Sequence, residues 1–428
     1  MAAPRTYKLG DAARHIASGE RCDLLWLGDS QSAPSNSPRW AQGIMKQWDV
    51  DWRERVLASA APISAGVEGW QSFKTPGIAT SSGDLLPDGV TVCPPGFNAN
   101  TRWDTGSPSA FTQVARYASS FLGTYLNGDW TVNNAINWRF AMTKLSGNSP
   151  CRFLRRRANG NLATTAVDFE TTLVPSSDWQ AVDFSGAASG VVASGVNGEE
   201  WFLDLNFGDK TNKGVCLGGY AISIDGKADG FGLRFSAAGG WTALDHLPVS
   251  LGGTNTLVDL DDLQARNGVF GWPTAIFIQL GQNDAGLTDG TTPTGIANYK
   301  SRLLQLIDHY NIAYAASAQP TPMFVLVCNW ETSGLGAYWP SIATSLQEIC
   351  DERSNCGLLN LYQIVNEEHG SFASWQGTYL ADGVHQNTAG ASEFARLAWN
   401  ELQVAAVTGI VVLTNGIGSF GYTKSWGY

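Results

Sequence analysis

The sequence predicts an α/β protein in which a parallel sheet is covered by helices on both faces and interrupted by an inserted β-sandwich. Three observations predict it. The second half alternates short apolar runs with helical periodicity, the N-terminal part supplies a matching strand, and a long middle stretch shows strands without helices. At 428 residues, with 43% hydrophobic and only 15% charged residues, the chain can bury a large core and is not expected to be disordered.

In chain order, Asp23–Leu27 reads as a buried strand and Pro38–Trp48 as an amphipathic helix. Between residues 105 and 228, alternating runs (137–142, 166–169, 201–207 and 220–224) recur between turn residues, punctuated by Gly198, Gly208, Gly226 and Gly230. Closely spaced strands without intervening helices predict a sandwich. Then come a strand over Ala275–Leu280, a helix over Asn298–Ala316 and a second buried strand over Met323–Cys328. A helix over Ile342–Cys350, a strand over Gly357–Leu361 and a helix over Ala389–Val407 complete the pattern. The expected organisation is a main domain in two parts, 1–104 and 229–410, an insertion at 105–228 and a tail at 411–428. The glycine- and aromatic-rich end, Leu413–Tyr428, suits either a closing strand pair or a contact with another subunit.

A net charge of −11 disfavours nucleic acid and anionic membranes as partners. The basic run Arg155–Arg157 reads as a solvated face. Seven cysteines include no CxxC pair, which argues against a structural zinc site; Cys350 and Cys356 are close enough in sequence to pair in an oxidising compartment. The first twenty residues hold no apolar core of signal-peptide length, and no segment approaches the ~20 apolar residues of a membrane span. A soluble protein is expected. Its compartment stays open, extracellular and virion-associated settings included, and so does its oligomeric state.

Three short motifs carry chemistry. Gly28-Asp29-Ser30 ends the first buried strand, where α/β folds bind ligands, and would present a serine hydroxyl to the crevice. Gly281-Gln282-Asn283-Asp284 ends another strand; an asparagine amide there can donate to a developing oxyanion, while an Asx turn is the plainer reading. Asp382-Gly383-Val384-His385 precedes the last helix, and a D-x-x-H turn lets the carboxylate fold back onto the imidazole. For the other histidines, His15, His246, His309 and His369, the sequence identifies no partner.

Taken in this order, the three motifs resemble the SGNH (GDSL-type) hydrolases, whose blocks carry Ser, Gly, Asn and His. Ala238-Gly239-Gly240-Trp241-Thr242, followed by Asp245, is similar to the glycine block, with Gly240 as the better match and Gly239 the fallback. The interval from Ser30 to Gly240 far exceeds that of compact members, and the β-rich insertion accounts for it. The resemblance covers about half the chain.

It implies a three-layer α/β/α fold and a serine esterase. Ser30 would be the nucleophile, His385 its base and Asp382 the residue that orients His385. Ser30, Gly240 and Asn283 would form the oxyanion hole, with Trp241 and Gln282 against the substrate. No metal or organic cofactor is implied. The insertion resembles, in pattern, the jelly-roll modules of carbohydrate esterases; Trp103, Trp130, Trp138, Trp179 and Trp201 are candidate sugar platforms. An acetylated carbohydrate or another small ester is the expected substrate. The rival expectations are a glycan-binding or structural protein on the same scaffold and an O-acyltransferase.

Overall fold

A computed structural model describes residues 3–18, 22–32, most of 232–253 and 271–407 with side chains, with Ile44, Gln47, Trp48 and a few positions between 260 and 268. Between 52 and 231 it describes the backbone of the strands. The central strand is β2 (Cys22–Gly28), flanked in parallel by β12 (Phe231–Ala237) and β13 (Ala275–Gln279). The parallel set continues from β13 through β14 (Met323–Cys328) to β15 (Cys356–Asn360), where β1 (Thr6–Tyr7) closes the edge antiparallel. On the other side, β3 (Trp52–Leu57) runs parallel to β12. Beyond it β11 (Val215–Ile224), β6 (Ala135–Lys144) and β9 (Ser176–Ala187) follow antiparallel, and β4 (Gln71–Phe73) pairs with β11. Strand order thus reverses around β2, which makes the carboxyl ends of β2, β12 and β13 the topological switch point of the sheet.

The strands are buried on both faces because helices cover both. Leu25, Leu27, Ile276 and Ile278 join a cluster with Tyr299, Leu303, Leu306 and Tyr310 of α2 (Pro293–Ala316) and Ile342, Leu346 and Ile349 of α3 (Trp339–Glu352). Alternation sends Trp26 and Phe277 to the opposite face, where their rings stack at 4.4 Å. Trp48 leans on both and stacks on Trp399 of α6 (Thr388–Val411), against which α1 (Gly10–Ala17) packs. The result is a mixed α/β fold with a mostly parallel central sheet, as expected.

Differences lie at the element ends. Helix α2 starts before Asn298 because the Thr292 hydroxyl accepts from the Gly295 N–H and Pro293 occupies the first turn. The strand expected to end at Leu361 stops at Asn360, whose side chain accepts from the Gln363 N–H and starts α4 (Leu361–His369). Neither α4 nor α5 (Phe372–Tyr379) was expected. Of the helix expected over 38–48, Ile44 and Gln47 are helical, Trp48 forms a bend, and the rest lies outside the described residues.

Within 105–228, β6, β9 and β11 extend the central sheet, while β5 (Thr112–Ala118), β10 (Glu200–Phe207), β7 (Ser149–Ala158) and β8 (Ala166–Leu173) form a second, antiparallel sheet. The side chains that would pack a sandwich between these sheets lie outside the described residues, as does the tail from residue 412. Cys328, Cys350 and Cys356 are buried free thiols, so Cys350 and Cys356 do not pair here. No helix among the described residues is long and apolar enough to cross a membrane.

Candidate active site

Strand register brings the sequence motifs to one edge of the sheet. Gly28 stands opposite Ala237 of β12 and Gln279 of β13, so the turns carrying Ser30, Gly240 and Asn283 all leave the sheet at the same level. At Gly28 a Cβ would lie 1.8 Å from Ser32 Oγ, so a larger residue would require the serine to shift. Beyond it, Asp29 Oδ1 accepts from the Gln31 N–H at 2.9 Å and the Ser32 N–H donates to the Asp29 carbonyl, a tight turn with Ser30 at its tip.

The Ser30 hydroxyl meets His385 Nε2 at 2.8 Å, and His385 Nδ1 meets Asp382 Oδ2 at 2.8 Å. The other Asp382 oxygen accepts the N–H groups of Val384 and His385 at 3.0 and 2.7 Å, which folds the D-x-x-H turn. Partial burial alone would raise the Asp382 pKa. The bonds from the His385 ring and from the two backbone N–H groups outweigh it and hold the carboxyl at about 2. The turn is tied to the rest of the site: the Val384 carbonyl accepts from Gln31 Nε2 and Trp330 Nε1, and Gln386 Nε2 donates to the Gln31 carbonyl.

Asn283 does not make an Asx turn. Its Nδ2 donates to the Trp241 carbonyl at 2.8 Å, joining the asparagine block to the residue after Gly240. One of the two amide hydrogens is thereby committed, which orients the other. Gly240 adopts φ +84° in an exposed turn, with nothing near the position a Cβ would take. Gly239, the fallback, is also exposed. Gln282 Oε1 accepts from the Thr332 hydroxyl at 2.8 Å. Trp241 is largely buried, its ring edge-on to His246 at 4.7 Å.

Two buried carboxylates sit beneath these turns. Burial, aided by the charge of Asp284, pushes Asp29 up to about 7 against the opposing bond from Gln31. Burial lifts Asp284 to about 6, opposed by the Ala243 N–H and by Arg302, whose Nη1 is 3.7 Å away. Asp284 receives the Ala243 N–H of the glycine block as well as its own backbone N–H.

The structure thus brings together Ser30, His385 and Asp382, and separately joins Asn283 to the Gly240–Trp241 turn. Sequence reasoning missed Gln31, Trp330, Thr332 and Gln386, and it found no partner for His246, whose Nε2 lies 3.0 Å from the Gly28 carbonyl. Each of these contacts spans tens to hundreds of residues, so no local pattern announces it. Among the described residues, no group of three or more His, Cys, Asp or Glu side chains is arranged to hold a metal ion.

With this topology and this arrangement of turns, the chain has an SGNH hydrolase-like fold. Solved structures to which it is similar include a peptidoglycan O-acetylesterase, at 12% identity and a TM-score of 0.50, over 95% of this chain and 97% of that one. The YxiM protein of Bacillus subtilis aligns at 14% identity and a TM-score of 0.33, over 79% of this chain and 99% of its own. An acetylxylan esterase from Geobacillus stearothermophilus aligns at 17% identity and a TM-score of 0.29, over 40% of this chain and 73% of that one. At such identities the likeness is one of fold. No family model matches the sequence, and no curated protein matches it.

Proposed function

We propose that this chain is a serine esterase that removes acetyl groups from carbohydrate. The observation that carries the reading is the unbroken relay from Ser30 Oγ through His385 to Asp382, with both contacts at 2.8 Å. His385 Nε2 takes the Ser30 proton as Oγ attacks the ester carbonyl, and Asp382 holds the Nδ1–H and stabilises the imidazolium. The Ser30 and Gly240 N–H groups and the uncommitted hydrogen of Asn283 Nδ2 receive the oxyanion. Collapse expels the alcohol, which takes its proton from His385. Water, activated by the same imidazole, then releases acetate from the acyl-serine. Trp241 and Gln282 border the acyl group. No step calls for a metal or an organic cofactor.

The choice of an acetylated glycan is supported by the fold-wide likeness to a peptidoglycan O-acetylesterase. In this reading residues 105–228 form an inserted glycan-binding sandwich between the two parts of the catalytic domain. Trp138, Trp179 and Trp201 fall on its strands β6, β9 and β10. The test is hydrolysis of p-nitrophenyl acetate against a longer-chain ester, followed by O-acetylated peptidoglycan and xylan, with Ser30→Ala as control. Acetate-selective activity that disappears in Ser30→Ala supports the proposal. A folded protein that binds glycan without turnover would replace it with the binding-protein reading, and acetyl transfer to a sugar in preference to water with an acyltransferase.

A further inference from the structure

We infer that His246, which the triad and oxyanion hole do not include, is a positioning residue that sets the span of the oxyanion site; the inference rests on the esterase reading. His246 is 1% exposed and ends the short 3-10 turn Ala243–His246 that comes after the glycine block. Its Nε2 stands 3.0 Å from the Gly28 carbonyl. A carbonyl only accepts, so this nitrogen carries the hydrogen and donates it. Gly28 is the last residue of β2, and its carbonyl belongs to the peptide that enters Asp29 and Ser30.

The same ring meets Trp241 edge-to-face at 4.7 Å and 84°. Trp241 comes directly after Gly240, and its carbonyl takes the bond from Asn283 Nδ2. One imidazole therefore touches the peptide before the serine turn and the residue after the glycine turn, and that residue holds the asparagine. The three oxyanion donors leave three separate strands, so their spacing depends on how the turns are tied together. The Gly239–Gly240 turn is exposed, with open space where a Cβ on Gly240 would stand. Its position is set by β12 before it and by the Trp241–His246 segment after it, which is anchored on Asn283 and Asp284 and, through His246, on Gly28.

Such a group acts on the transition state through others. Its loss should lower kcat and leave KM nearly unchanged, because the ground-state carbonyl depends little on donors placed for the oxyanion. Small displacements in such sites lower rates by about tenfold to a hundredfold. The experiment compares wild type, His246→Met, which fills the space without a donor, and His246→Gln, which keeps a side-chain N–H, on p-nitrophenyl acetate. Alongside it, nitrogen-15 NMR of histidine-labelled wild type reads the His246 tautomer. The expected results are a kcat of His246→Met about tenfold to a hundredfold down with KM within about twofold, recovery by His246→Gln to within about threefold, and an Nε2–H tautomer. A kcat of His246→Met within about twofold of wild type, a His246→Gln as impaired as His246→Met, or an Nδ1–H tautomer overturns the inference. Should His246→Met fail to fold, the tautomer and the His246→Gln kinetics decide. If wild type and Ser30→Ala are equally inactive, the esterase reading falls and takes this inference with it. An active wild type beside an indifferent His246→Met removes His246 alone.

Discussion

Replacing Asp382 by asparagine separates the chemical role of the carboxylate from its role in the turn. The amide would keep an oxygen where Asp382 Oδ1 accepts the N–H groups of Val384 and His385 at 3.0 and 2.7 Å, so the turn should survive. On the other side an NH₂ would replace the oxygen that faces His385 Nδ1 at 2.8 Å. It can only donate, which forces the ring into the Nε2–H tautomer, and that tautomer cannot accept the Ser30 proton. The ground-state interaction lost is small. A shift from 3.8 to about 2 corresponds at most to ~2.5 kcal/mol, and the side chain is 55% exposed, so about 1 kcal/mol is the realistic share after solvent screening. The kinetic loss is far larger, because the tautomer is wrong and the imidazolium is unsupported, and kcat should fall by roughly 10³- to 10⁴-fold. Asp382→Ala should behave in the opposite way. It removes the acceptor of two turn N–H groups and should lower stability by about 1 kcal/mol. It leaves Nδ1 to water and the tautomer free, so it should retain more kcat than Asp382→Asn. The assay is steady-state hydrolysis of p-nitrophenyl acetate at neutral pH with thermal melts of both variants. A folded Asp382→Asn with kcat within about tenfold of wild type, or one faster than Asp382→Ala, would refute the reasoning.

Three further outcomes are expected. Asn283→Ala should lower kcat by about 10²- to 10³-fold with little change in KM, since the amide donates to charge that exists only in the transition state; a loss confined to KM would place Asn283 in substrate binding instead. Asp29, pushed up to about 7 from 3.8 by burial, binds its proton more tightly in the folded state, so its contribution to stability is fullest below about pH 4 and is lost as pH rises through about 7. The window is worth on the order of 4 kcal/mol, Asp284 acts in the same direction, and urea unfolding of Asp29→Asn between about pH 4 and 8 should show a clearly shallower slope; an identical slope would clear Asp29 of the effect. Gly28→Ala should lower both the melting temperature and kcat, because the added methyl meets Ser32 Oγ in the turn that carries Ser30; a native melt with full activity would mean that the turn has room to spare.

Much of this was legible because local chemistry acts over short spans. A run such as Ala275–Gln279, wholly apolar but for its last residue, suits a buried parallel strand between two helical layers, and it is buried throughout. The D-x-x-H turn closes on itself within four residues, so Asp382 and His385 could be paired from spacing alone. The short α4 was missed because its start depends on Asn360 capping a helix directly after a strand, a signal that an apolar run conceals, while α5 begins after Ser371 with no side-chain capping bond. The long-range partner of Asp284 was not legible for another reason. A carboxylate beside its own turn has a local partner in its own backbone N–H, and only packing shows that it also takes the Ala243 N–H.

By itself the sequence determined the alternation of strands and helices, the residue types at each strand end and the order in which they occur. Periodicity and turn chemistry are properties of neighbours along the chain. What only the tertiary structure decided is the closing of Ser30 on His385 across 355 positions, the joining of Asn283 to Trp241, and the place of His246 under Gly28. Those contacts depend on strand order and register, which the burial of the whole sheet selects and no local segment encodes.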